Sequence, residues 1–339
     1  MAMSKDELVK REIFNALGSD KSGIEMRIFV ESSNEDQKMF SDGGLTFGLA
    51  GVAYGSCDCA FVKKQAWSDP FNNKTCEYTP VMAIEATAAR SSGSSGNAQF
   101  QRFHHALGAV RNGALGVYYL RPGKLGIRPE LFLMASKASQ IEPGNYLITE
   151  SLDVLKNILA KPYGSKEWVE AVEKEILDQK NKAELWFKEK YGTLANFAKR
   201  RSTVLSDEYV LKHAGRMSRN FTDSSQRAGH IAVGEMYLTK YLFSELGRPM
   251  YYLFPRMTDQ DFSQLDLKKA VDKEWHLLRN ESGIKLISLD GLYGVPKEIS
   301  NGFRRLKDTP LKGKALREYN HLVVKLVELI NLKRVGINP

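Results

Sequence analysis

Two acidic residues lie inside segments that otherwise suit β-strands. Asp58 interrupts the run from Tyr54 to Lys64. Glu85 interrupts the run from Thr79 to Thr87, and a stretch dense in turn-forming residues joins the two runs, which predicts a β-hairpin. A turn centred at the Phe71/Asn72 junction pairs Asp58 with Glu85, so that their β-carbons would lie about 5 Å apart on one face.

Two carboxylates side by side repel each other, and keeping both ionised is costly unless a cation lies between them. We expect Mg²⁺, because it prefers oxygen ligands and combines one or two carboxylates with water and substrate phosphate oxygens. A magnesium ion held in this way can polarise a phosphodiester and supply a hydroxide for in-line attack. The alternative is that one acid is exposed at a strand end and the pairing is accidental.

The other face of the predicted hairpin is apolar, because side chains alternate between the faces of a strand. Alternation assigns this face to Cys57, Cys59, Phe61, Met82, Ile84 and Ala86. Such a face is suited to packing against a helix. The hairpin is therefore expected to belong to a layered α/β core.

Hydrophobic periodicity predicts further elements on both sides of the hairpin. Helices are predicted over residues 5–17 and 97–111, and strands over residues 26–30, 115–120 and 131–134. The order of hairpin, helix, strand and strand indicates an α/β fold with a mixed central β-sheet flanked by helices. We assign residues 1–160 to this core. Residues 161–339 are predicted to be a mostly helical, basic region for DNA binding and dimerisation.

The two acidic segments resemble the motifs of the PD-(D/E)XK nuclease superfamily, to which most type II restriction endonucleases belong. Ser56-Cys57-Asp58-Cys59 is similar to the segment around the first acid, and Ile84-Glu85-Ala86-Thr87 to the acid-x-Lys triplet. The resemblance implies that Asp58 and Glu85 bind Mg²⁺, with a helix and a further strand after the hairpin. Two positions depart from the pattern: no proline precedes Asp58, and Thr87, which carries no charge, replaces the lysine.

The missing lysine leaves the third member of the site open. Gln99, Gln101 and Arg102 are candidates, because the helix that carries them begins near the carboxylate end of the hairpin, although each also suits a plain helix surface. The resemblance further suggests an acid that precedes the hairpin, for which Glu35 is a candidate.

Cysteines and histidines allow a zinc site as an alternative, since thiolates and imidazoles are its usual ligands. The residues concerned are Cys57, Cys59, Cys76, His104 and His105. The two sulfurs of a Cys-x-Cys strand share its apolar face, so core packing is the favoured interpretation for the cysteines. Packing within a helix interface is favoured for the histidines, with a role in DNA contact or catalysis as the alternative.

A net charge of +9 and a pI near 9.2 favour an acidic partner such as nucleic acid. The residue types of one polar segment suit base and phosphate contacts, and its candidates are Arg216, Arg219, Asn220, Ser224, Gln226 and Arg227. Further basic side chains are predicted to contact the DNA backbone: Lys199, Arg200, Arg201, Arg304, Arg305 and Lys307. A flexible loop and a solvated helical surface are the alternatives for these two sets.

Together these patterns predict a type II restriction endonuclease that cleaves double-stranded DNA at a specific site as a homodimer. We expect a cytoplasmic protein, because the first residues are charged, no apolar run could span a membrane, and an odd cysteine count fits a reducing compartment. Two other classes stay open. One is a DNA- or RNA-binding protein without catalysis, and the other is a metal-dependent enzyme for small phosphorylated substrates.

Overall fold

The chain forms two compact units, which are described separately. The computed structural model describes residues 5–18, 20–21, 23–28, 45–49, 52–65, 67–69, 74–76, 79–87, 94–122, 128–201, 203–213, 234–267 and 283–338. The first unit is Met1–Glu189 and the second is Lys190–Pro339. None of the described helices is both long enough and apolar enough to cross a membrane.

The first unit is built on a six-stranded mixed sheet in the order β1-β2-β5-β8-β9-β10. Its strands are β1 (Asp20–Lys21), β2 (Ile24–Ile28), β3 (Leu45–Leu49), β4 (Val52–Cys57), β5 (Cys59–Lys63), β6 (Trp67–Asp69), β7 (Lys74–Cys76), β8 (Thr79–Thr87), β9 (Leu115–Leu120) and β10 (Asn145–Thr149). Its helices are α1 (Lys5–Leu17), α2 (Ser94–Arg111), α3 (Pro129–Ile141), α4 (Leu152–Leu159) and α5 (Lys166–Tyr191). Strands β2, β5 and β8 pair antiparallel, and β8, β9 and β10 pair parallel, which confirms the predicted mixed sheet.

Helices cover the central strands, which are buried on both faces. The apolar stripe of α1 packs against one face together with α4 and the first turns of α5. On the other face α2 lies very close to β9, because Gly116 has no side chain to hold them apart. A β-carbon at Gly116 would lie 2.4 Å from the carbonyl oxygen of Ala106 on α2. This contact fixes α2 over the face that carries Glu85.

The predicted register of the hairpin is confirmed. Cys59 pairs with Ile84 and Phe61 with Met82, which is symmetric about the Phe71/Asn72 junction. Strands β6 and β7 extend the same hairpin and pair Trp67 with Cys76, in the same register. The turn residues 70–73 themselves lie outside the described residues. The pairing of β5 with β8 shifts by one residue between Phe61 and Val62, and the shifted pairs lie away from Asp58 and Glu85.

One predicted strand is wrong. Residues 131–134 belong to helix α3, which begins with Pro129 in its first turn. A short apolar run fits a buried helix as well as a buried strand, and proline at the first helical position favours the helix. The structure therefore places a helix between the parallel strands β9 and β10, as a crossover between parallel strands requires.

The border between the units falls after residue 189, whereas the sequence placed it at residue 160. Helix α5 accounts for the difference. Trp168 and Val172 of α5 belong to the core of the first unit. The Gln179 side chain accepts a hydrogen bond from Ile148 N at 2.7 Å and donates one to Tyr146 O at 2.9 Å, so it satisfies backbone groups of β10.

The second unit combines helices with a sheet that the sequence did not predict. Its strands β11 (Thr203–Leu205), β12 (Val210–His213), β13 (Met250–Phe254) and β14 (Lys285–Ser288) form a four-stranded sheet, and β15 (Leu292–Tyr293) pairs with β16 (Gly336–Ile337). Its helices are α6 (Leu194–Arg200), α7 (Asp259–Leu267), α8 (Lys297–Arg305) and α9 (Gly313–Asn331), with a π-helix at Thr239–Phe243 followed by a 3-10 turn at Ser244–Leu246. Apolar residues of α8 and α9 share one core with Leu253 and Ile287 of the sheet.

Candidate functional site

Asp58 lies at the point where the chain passes from β4 into β5. It is 8% exposed and forms a bend between the two strands. Its backbone N–H donates to Ile84 O at 3.0 Å, and Asp58 Oδ2 accepts from Ala86 N at 2.8 Å. Ile84 is also the ladder partner of Cys59, so Asp58 is an extra residue at the bend and not a member of the β5–β8 ladder. The charges of the two acids act on each other, so the acids are close, but Asp58 contacts a lysine of α1 and Glu85 an arginine of α2, and these helices cover opposite faces of the sheet. That the two acids share one face stays a prediction.

A lysine from α1 neutralises Asp58. Lys10 Nζ lies 3.0 Å from Asp58 Oδ1. Burial and the neighbouring Glu85 charge raise the pKa of Asp58 to about 6, although Lys10 and Arg102 act in the opposite direction. Burial lowers the pKa of Lys10, but attraction to Asp58 outweighs it and leaves this pKa above its ordinary value. Asp58 is thus an unusually basic carboxyl group with a cation on one of its oxygens.

Glu85 is fully buried beneath α2. Arg102 Nη1 donates to Glu85 Oε1 at 2.5 Å, and His105 Nδ1 lies 3.3 Å from the same oxygen. Burial acts to raise the pKa of Glu85, but the charges of Arg102 and His105 outweigh it and hold the pKa below its ordinary value. The two acids of the hairpin therefore differ: Glu85 is ionised at neutral pH, and Asp58 titrates near it.

Two buried acceptor oxygens of the site have no hydrogen-bond donor among the described residues. One is Glu85 Oε2 and the other is Gln99 Oε1. Gln99 lies one helical turn before Arg102, on the same side of α2. A buried acceptor without a donor is costly and is satisfied by water or by a cation.

The donor set fits a hard cation better than a zinc ion. Within the described part of the chain, no group of three or more His, Cys, Asp or Glu side chains is placed to hold a metal ion. A magnesium ion requires fewer protein ligands, since it keeps several waters and takes one or two carboxylates. Asp58 and Glu85 offer only oxygen atoms, and these are the residues that would hold a magnesium ion if one bound here.

The other predicted members of the site have different positions. Arg102 contacts Glu85, as described, and Thr87 ends β8 with a buried side chain. Gln101 lies in α2, but its side chain is outside the described residues, as is Glu35. The sequence analysis missed Lys10. Its signal was a lysine directly after the buried Val9, at the border of the apolar stripe of α1.

The prediction that Cys57 and Cys59 share one face is wrong. Cys59 belongs to the core cluster that packs against α1. Cys57 Sγ instead lies 3.8 Å from His105 O on α2. The bend at Asp58 separates β4 from β5 and breaks the alternation of side chains. Both thiols are unbridged, and burial raises the pKa of each.

The residues predicted to bind DNA fall into three groups. The segment with Arg216, Arg219, Asn220, Ser224, Gln226 and Arg227 lies outside the described residues. Arg201 is mostly buried and pairs with Glu235 at 3.2 Å, so it offers a phosphate little surface, whereas Arg200 is exposed beside Tyr191. Arg304 and Arg305 are exposed and pair with Asp290 at 3.4 Å and with Glu318 at 2.6 Å. Exposed pairs of this kind are worth at most about 1 kcal/mol, so a phosphate can compete for both arginines.

The candidate site therefore consists of two buried acids, Asp58 and Glu85, with a lysine from α1 and an arginine from α2 beside them. Its geometry is the basis for any functional conclusion. When the chain is compared with known proteins, no family model matches it, and neither a curated protein nor a solved structure shows significant similarity.

Proposed function

We propose that this protein is a Mg²⁺-dependent endonuclease that cleaves phosphodiester bonds in double-stranded DNA. The observation that carries the proposal is the proximity of two buried acids, Asp58 and Glu85, whose charges act on each other, with the buried Oε2 of Glu85 lacking a donor among the described residues. Few structural reasons exist for burying two repelling acids together. A divalent ion and a phosphate oxygen would complete this arrangement.

The arrangement of elements around the acids supports the same proposal. The first acid directly precedes β5, the second lies in the antiparallel neighbour β8, and helix α2 and strand β9 follow. This is the order that the resemblance to the PD-(D/E)XK nucleases implies. The positively charged chain supports a nucleic-acid substrate.

Each polar residue of the site has a distinct role in the proposed reaction. A bound magnesium ion supplies Lewis acidity and an activated water at the scissile phosphate. Asp58 and Glu85 hold it, and Arg102 fixes the orientation of the Glu85 carboxylate. Lys10 supplies the positive charge that Thr87 cannot provide, on the Asp58 side of the site.

Lys10 can be tested by two substitutions, one that removes its positive charge and one that keeps it. We expect Lys10→Gln to lower the rate of DNA cleavage by about 10- to 100-fold, in the range found when partners of metal ligands are removed. Lys10→Arg keeps the charge, and we expect it to retain more activity than Lys10→Gln. The measurement is the cleavage rate against pH, because loss of the ammonium alters the titration of Asp58 as well as the rate. Equal rates for Lys10→Gln and the unchanged protein would exclude this role.

Site-specific cutting of both strands, action as a homodimer and a cytoplasmic location belong to the same proposal. A symmetric dimer presents two equivalent sites to the two strands of a palindrome. The sheet of the second unit is compatible with a DNA-binding role, since Arg304 and Arg305 lie on helix α8 and are exposed.

Incubation with plasmid DNA tests the proposal directly. We expect discrete fragments with Mg²⁺ and intact plasmid when EDTA replaces the metal. The main rival is a nucleic-acid-binding protein without catalysis. Lys10 pairs with Asp58 and Arg102 pairs with Glu85. These pairs favour the rival, because they neutralise the acids without a metal. That rival predicts plasmid left uncut over a panel of sequences, with DNA binding unaltered in Asp58→Ala. If the protein is instead a metal-dependent enzyme for small phosphorylated substrates, we expect no salt-sensitive DNA binding.

A further inference from the structure

Cationic side chains line the exposed side of helix α9. Lys314, Arg317 and Lys325 are all exposed, and their spacing places them on one side of the helix along about 16 Å of its axis. We call these three residues the basic stripe. The opposite side of α9 carries the buried residues Tyr319, Leu322, Val323, Leu326 and Ile330. The core thus fixes which side of α9 faces solvent.

The basic stripe is not neutralised by its neighbours. Within the described residues, none of its three side chains takes part in an ion pair. The nearest acid to Lys314 and Arg317 on α9, Glu318, pairs with Arg305 of α8 at 2.6 Å. Glu328 lies one turn after Lys325, and no ion pair joins these two side chains among the described residues.

Helix α5 of the same chain serves as a comparison, because its charge pattern is typical of a helix surface that only contacts solvent. Acids and lysines alternate along α5, and Lys166 pairs with Glu170 at 3.6 Å. In α9, by contrast, the first turn contains no acid, and Lys312 at the N-cap position makes no capping hydrogen bond. Cations near the start of a helix are opposed by its dipole, which favours negative charge there. Lys314 lies in this first turn, so an external anion would stabilise it there.

We propose that the basic stripe docks the sugar-phosphate backbone of duplex DNA. A duplex is a rod with one negative charge per about 1.7 Å of axis, and it matches an elongated row of cations better than a compact anion does. Contacts of this kind add affinity without sequence preference. The inference deepens the proposed function and rests on it, since it names one surface with which the second unit holds the substrate.

The test compares two variants that lose the same charge. The first carries Lys314→Gln, Arg317→Gln and Lys325→Gln, and its control carries Lys174→Gln, Lys182→Gln and Lys188→Gln at exposed positions of α5. Binding to a labelled duplex of about 20 base pairs, an ample length for these contacts, is followed by fluorescence anisotropy in EDTA at several salt concentrations. We expect the stripe variant to bind at least about tenfold more weakly, with a salt slope lower by about 2 to 3, and the control to match the unchanged protein.

Affinity and salt slope that do not change in the stripe variant would overturn the inference, as would a loss of equal size in the control. Binding to anionic phospholipid vesicles without binding to the duplex would overturn it as well, by assigning the stripe to a membrane surface. The proposed function fails separately, because no cleavage is needed for binding in EDTA. If binding depends on the stripe but plasmid stays uncut, the nuclease proposal fails and the docking surface stands. If the protein cleaves plasmid but the stripe variant binds DNA normally, the docking surface fails and the nuclease proposal stands.

Discussion

Glu85→Gln is expected to lower Mg²⁺-dependent DNA cleavage by about two to three orders of magnitude, or about 3 to 4 kcal/mol of transition-state stabilisation. The substitution keeps the size of the side chain but removes the charge that would hold the metal ion. Because glutamine has nearly the same shape, the surroundings stay sterically intact, and its amide oxygen can still accept from Arg102. The measurement is the single-turnover rate of plasmid cleavage, with circular dichroism to confirm folding.

Glu142→Gln is the matched control for this substitution. Glu142 is also a mostly buried glutamate in the first unit and pairs with Arg111 at 3.4 Å, away from the two acids. We expect this variant to cut DNA at the normal rate, and we expect Glu85→Gln to bind DNA normally in EDTA. Full cleavage by Glu85→Gln would remove Glu85 from the site and leave the nuclease proposal without a metal centre.

The core of the site could be predicted from the sequence because hairpin pairing is local. A single turn position determines every partner of an antiparallel pair, so the Phe71/Asn72 centre gave Asp58 and Glu85 as neighbours. In the structure Cys59–Ile84, Phe61–Met82 and Trp67–Cys76 keep this register, although the pairing shifts by one residue at Val62. The order of helix and strand after Glu85 follows from equally local patterns.

The parts that were missed depend on tertiary contacts or on ambiguous runs. Lys10 reaches Asp58 only because α1 packs on the sheet, and no spacing along the chain indicates that contact. Residues 131–134 are apolar on a buried helix, where periodicity does not separate helix from strand. The strands of the second sheet, such as Val210–His213, are too short to show alternation against the helical pattern around them.

Asp58 is expected to make the folded protein less stable at neutral pH. Its pKa in the folded protein is about 6, and its ordinary value is 3.8. Between these values the folded protein binds a proton that the unfolded chain does not, so the free energy of unfolding falls as the pH rises through this window. A shift of this size corresponds to about 3 kcal/mol, of which burial and the Glu85 charge are the sources.

Asp58→Asn imitates the protonated carboxyl group and should escape this loss. We expect the variant to gain stability over the unchanged protein by about 1 to 3 kcal/mol at pH above about 7, and the difference to shrink towards about pH 4, where both side chains are neutral. Urea unfolding in EDTA at several pH values measures it, and the same variant should lose cleavage. Asp153→Asn, at an exposed acid beside Lys156, serves as the control and should show no gain that grows with pH. A stability difference that stays constant from about pH 4 to about pH 7.5 would mean that Asp58 is charged throughout this range and that Lys10 compensates its burial fully.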